Sequence, residues 1–174
     1  MTQPIAHQLH GLARGWRATA LLFALACAHA PAQAGVADLI NGVKVGAQLP
    51  MLDLHYVGAA PLLENRLLLV DFWATWCEPC RTSIPALNAL QAKFAEKGLT
   101  VIGVTQESEK FVQPFLQMVP MHYASAADGN PSLYRALHIK ALPYAMFVSP
   151  NGKIVWRGQP DEIDDDLVER LLRK

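Results

Sequence analysis

The stretch Arg66-Leu67-Leu68-Leu69-Val70-Asp71-Phe72-Trp73 is apolar almost throughout and leads, three residues on, into Cys77-Glu78-Pro79-Cys80. A continuous apolar run of this kind reads as a strand buried on both faces, the mark of a central position in a sheet covered by helices. From Cys77 to Lys97 the pattern becomes helical, with Ile84, Leu87, Leu90 and Phe94 on one face. Pro85 is expected to kink this helix and Gly98 to stop it. Two cysteines therefore stand where a central strand hands over to a helix. That junction constrains the fold, which must be α/β, and also the chemistry.

The rest of the chain completes the architecture. Val36 to Leu54, with Gly42, Gly46 and Pro50, reads as an entry segment, and Leu52 to Val57 as a strand. Leu99 to Thr105 is a second buried strand. Glu109 to Met118 has a helical pattern around Pro114. Pro131 to Leu137 is a short helix, with Asn130 as N-cap and Pro131 at its first position. Tyr144 to Val148 and Lys153 to Arg157 are strands joined through Ser149-Pro150-Asn151-Gly152, a hairpin signal. Asp161 to Arg173 is an amphipathic helix, acidic at its start and basic at its end. The expectation is a mixed sheet, βαβ then ββα, flanked by helices on both faces.

Residues 1–34 read as an address. Arg14 and Arg17 precede the apolar run Ala18 to Ala30, and Ala32-Gln33-Ala34 offers a cleavage site. The run is short for a membrane span and fits a signal-peptide core. Lipidation at Cys27, or an uncleaved leader acting as a membrane tether, is the alternative. The expected folded domain is 35–174, exported to the bacterial periplasm. The chain has 15 basic and 15 acidic residues, so nothing in its charge favours nucleic acid. It has three cysteines. Removal of the leader leaves only Cys77 and Cys80, too few for a disulfide scaffold.

A cysteine at a helix N-terminus meets unpaired N–H groups and the positive end of the dipole, which favour a thiolate. Cys77 is thus the expected attacking sulfur. Cys80, one turn further on, is the resolving one. Pro79 suits the first helical turn. Zinc would need a second ligand pair, and His55, His122 and His138 have no ligand spacing. No metal or other cofactor is therefore expected. Asp71 is costly in a buried strand and should have a raised pKa. Glu78, between the cysteines, should oppose a thiolate on Cys77 and make the couple more reducing. Trp76 and Pro79 form an apolar shoulder suited to partner docking, and Trp73 is either part of it or core. Met118, Met121 and His122 offer soft ligands for a copper alternative.

VDFWATWCEPC and the later ALPYAMFVSPNGKIVWRG resemble the thioredoxin superfamily, and most closely its exported TlpA/ResA-like branch. The resemblance covers Val45 to Leu172. It implies a thioredoxin-like fold and a cis peptide at Leu142–Pro143 against the dithiol. The residues alone leave an ordinary trans proline open. It implies that Leu142 and Pro143 present a backbone edge to the client's cysteine segment. It implies that Asp71 accepts the Cys80 proton through water, although many exported relatives have Asn there. The Glu-Pro pair between the cysteines is similar to cytochrome-maturation reductases. The implied partners are a client with a disulfide or cysteine pair and a membrane thiol electron donor. A dithiol oxidase or isomerase, and a copper metallochaperone using the same cysteines, remain as alternatives.

Overall fold

The computed structural model describes residues 42–50, 54–128 and 132–174. The expected leader 1–34 with Cys27, and the cap residues Asn130 and Pro131, lie outside the described residues. The strands are β1 (His55–Val57), β2 (Leu67–Phe72), β3 (Leu99–Thr105), β4 (Ala124–Ala127), β5 (Tyr144–Val148) and β6 (Ile154–Gly158). The helices are α1 (Glu78–Phe94), α2 (Glu109–Met118), α3 (Ser132–Ala136) and α4 (Asp165–Leu172).

The described strands form one six-stranded sheet in the order β1-β4-β3-β2-β5-β6. β2 is parallel to β3 and antiparallel to β5, so it sits inside the sheet with every residue buried. That explains its apolar run. Alternation then divides its side chains between two faces. Leu67 and Leu69 pack with Leu87, Leu90 and Phe94 of α1 and Val168 of α4. Leu68, Val70 and Phe72 pack on the other face with Leu133 and Tyr134 of α3. A third cluster holds Trp73, Cys77, Cys80 and Ile84 with Val112 and Phe115 of α2. The mixed sheet with helices on both faces is the expected fold class.

Several elements differ from expectation. β4 has the sequence Ala-Ser-Ala-Ala, which carries no strand propensity. It is a strand because β3 pairs with one of its edges and β1 with the other. The last helix does not start at Asp161. Pro160–Glu162 forms a 3-10 turn, and α4 begins only after Asp164, whose Oδ1 accepts from the Leu167 N–H at 2.7 Å. At the other end of α1, Ala95–Lys97 tightens into a 3-10 turn. Gly98 then takes φ +107°, a conformation that glycine adopts without a Cβ penalty.

Candidate active site

Cys77 is the N-cap of α1, and its sulfur accepts from the Cys80 N–H at 3.3 Å. The helix starts here because Cys77 is extended, with φ −84° and ψ 99°, and Pro79 is preset for the first turn. The two cysteines are joined in a disulfide. Cys77 keeps 4% of its surface exposed and Cys80 none, so of the two cysteines Cys77 is the one open to an incoming group.

The residues before Cys77 are fastened down. The Thr75 N–H and Oγ1 donate to the two carboxylate oxygens of Glu107, at 2.6 and 2.7 Å. Glu107 follows β3 and takes a weaker bond from Thr105 Oγ1 at 3.4 Å. The loop carrying the dithiol is thereby tied to the end of the central sheet. Sequence reading missed Glu107, because a partner 32 residues away leaves no trace in local spacing.

Asp71 lies in β2 on the face that carries α1. It is fully buried, and neither carboxylate oxygen has a hydrogen-bond partner. Burial pushes its carboxyl up to about 7, as expected from the sequence. Glu78 has a different setting. Its exposed carboxylate pairs with Arg81, one turn along the helix surface. Sequence reading did not include that cation, which sets a positive charge against the one expected to oppose a Cys77 thiolate.

Trp73 is buried and stacks on Phe115 at 5.2 Å, which makes it core. Trp76 is 73% exposed. The Leu142–Pro143 peptide is cis. Leu142 packs against the cluster holding both cysteines. Pro143 and Pro79 line a groove of about 300 Å³ with Thr82, Ser83 and Gln159. The fold thus places Leu142 against the cysteine cluster and sets Pro143 beside Pro79 on one groove. Met118 and His122 are exposed, whereas Met121 directs its methyl inward over Gly103. Among the described residues, no group of three or more His, Cys, Asp or Glu side chains is placed to hold a metal ion.

A central strand running into a helix capped by one cysteine of a C-x-x-C pair, with a cis proline beside it, defines an α/β protein of the thioredoxin type. The family model described as Redoxin matches residues 44–172, and the chain belongs to that family. It is 31% identical over 93 residues to thiol-disulfide oxidoreductase ResA of Oceanobacillus iheyensis, covering 53% of this chain and 48% of that protein. It is 26% identical over 111 residues to ResA of Bacillus thuringiensis, covering 63% of this chain and 64% of that one. The chain therefore spans from about half to under two thirds of the length of these relatives. A crystal structure assigned as thiol:disulfide interchange protein DsbE from Chlorobium tepidum superposes with a TM-score of 0.66 and 27% identity. The match covers 76% of this chain and 98% of that one.

Proposed function

We propose that the chain is a thiol–disulfide oxidoreductase that reduces disulfides of client proteins in the bacterial periplasm. The observation that carries this reading is the arrangement of three groups: a reachable Cys77 sulfur at a helix N-terminus, a buried Cys80 one turn on, and an uncompensated carboxyl on the strand beneath. In the reduced protein the helix terminus favours a Cys77 thiolate. That thiolate attacks one sulfur of the client disulfide, forming a mixed disulfide and releasing the other client sulfur as a thiolate. Asp71, acting through water, takes the proton of the Cys80 thiol. The Cys80 thiolate then attacks Cys77, which forms the internal disulfide and frees the second client sulfur. The client gains two electrons, and the couple loses them.

The groove beside Pro79 and Pro143, the exposed Trp76 and the backbone at Leu142 form the surface on which a client segment would lie. A membrane thiol donor would restore the dithiol. A cysteine pair awaiting haem attachment in an apo-cytochrome suits this chemistry, because it must be reduced before it reacts. The leader read from residues 1–34 supports the compartment.

Redox titration of the Cys77–Cys80 couple tests the direction. A potential near about −270 mV marks a reductant, and one near about −120 mV an oxidant, which would overturn the reading. Cys77→Ser should abolish insulin-disulfide reduction, and activity retained in that variant would also overturn it.

A further inference from the structure

The acids that follow β6 do not act as one group. Asp164 caps α4 through the Leu167 N–H, and Asp165 pairs with Lys93 at 2.5 Å. Asp166 lies in the first turn of α4, where the helix dipole favours it. The Glu162 carboxylate folds back over Gly158 and leaves no room there for a Cβ. Asp161 has none of these employments. It is exposed in the 3-10 turn Pro160–Glu162, ahead of the helix start. Among the described residues, no ion pair or hydrogen bond engages its carboxylate.

Asp161 instead lines the groove of about 300 Å³ that carries Pro79 and Pro143 beside the dithiol. It is the one charged side chain among the described residues on that lining. The rest of the groove is poor in hydrogen-bond donors. Pro79, Pro143 and Pro160 have no N–H to offer. On the α1 wall, Thr82 Oγ1 donates to the Glu78 carbonyl at 3.2 Å, and Ser83 Oγ to the Cys80 carbonyl at 2.8 Å. Each hydroxyl spends its single hydrogen on its own helix, so only lone pairs remain for a ligand. The Gln159 amide is the one side-chain donor left on the described lining. Ala86 and the proline rings supply apolar surface. Glu78, near the cysteine end of α1, already faces Arg81.

This inventory selects among client side chains. An acidic one would meet acceptors and a like charge. A lysine or arginine brings a long apolar stem for the prolines and a donor head for the carboxylate. We propose that Asp161 is a specificity-determining residue, which receives a lysine or arginine side chain lying a few residues from the client's cysteine. The inference rests on reading the groove as the client surface, and it deepens that reading by naming the class of client: chains that are basic beside their cysteine pair.

The test uses three short peptides, each with one internal disulfide, identical except that the residues flanking the cysteines are Lys, Gln or Glu. The pre-reduced full chain is mixed with each, and the second-order rate of peptide reduction is measured. Wild type should reduce the Lys peptide about fivefold faster than the Glu peptide at low salt, and the ratio should shrink toward one in about 0.5 M salt. Asp161→Asn should bring the low-salt ratio to within about twofold of one while moving the Gln peptide least. Asp161→Lys should invert the preference. A wild-type ratio near one would overturn the proposal. So would a ratio that survives in Asp161→Asn, or an equal loss on all three peptides, which would mark Asp161 as support for the groove rather than a charge within it. The reductase reading fails separately, if wild type reduces none of the peptides. The same three peptides as dithiols, mixed with the oxidised chain, then read the charge ratio in the opposite direction of exchange.

Discussion

An ionisable side chain stands at each end of β2, and the two are treated in opposite ways. Arg66, just before the strand, is held by three hydrogen bonds: Nε donates to Thr100 Oγ1 at 2.9 Å, and Nη2 to the carbonyls of Ala95 and Leu99 at 2.6 and 2.5 Å. Thr100 Oγ1 in turn donates to the Leu62 carbonyl at 3.0 Å. The arginine thereby ties the 3-10 turn after α1, through the Ala95 carbonyl, to the start of β3, through Leu99 and Thr100. Asp71, five residues later, receives no hydrogen bond. A satisfied charge holds two elements together. An unsatisfied one stabilises nothing, and its proton affinity is set by its surroundings. The far end of the strand is built as a fastening, and the dithiol end as a titrating site.

The contrast is open to attack by substitution. Arg66→Ala should have the largest effect, a loss of about 3–4 kcal/mol in urea unfolding, because it removes three hydrogen bonds from one charged donor group. The potential of the dithiol should stay unchanged. A loss under about 1 kcal/mol would remove the fastening from the comparison.

Asp71→Asn should act with the opposite sign. The native carboxyl is raised from 3.8 to about 7, so between those pH values the folded state keeps a proton that the unfolded state has lost. Stability of the wild type therefore falls as pH rises through that window, by about 1.4 kcal/mol per unit at most. Asn carries no such penalty. The variant should match wild type near pH 4 and exceed it by about 2–4 kcal/mol above pH 7, measured by urea unfolding across that range. A constant difference at all pH values would mean that burial does not tune this carboxyl.

Glu78→Gln should do least. Its charge is exposed and already faces Arg81. The thiolate absorbance titration of Cys77 should move by less than about 0.3 unit, given screening at such a site. A downward shift of a full unit would restore Glu78 as a tuning group beside Asp71.

Much of this was readable from the chain. The apolar run of β2, the helical spacing of Ile84, Leu87, Leu90 and Phe94, and the Asn151-Gly152 hairpin are local signals, and local signals survive folding. Asp71 was legible for a different reason: a charge in an apolar run is costly wherever it lands. β4 was not legible, because Ala-Ser-Ala-Ala becomes a strand only through its two neighbours. Arg66, Glu107 and the Trp73 indole over Gly103 were equally hidden. Each depends on a partner roughly thirty residues away, and no periodicity encodes such a pairing.

The cap of α1 carries a consequence for the redox cycle. The Cys77 sulfur takes the Cys80 N–H while it is still bonded to the Cys80 sulfur. A divalent sulfur is a weak acceptor, and a thiolate is a strong one. Reduction therefore tightens the first turn of the helix at the moment the covalent link across it is lost. The same cap bond thus favours an unchanged helix start after reduction, and the exchange rate of a single amide, that of Cys80, should gauge which state the protein is in.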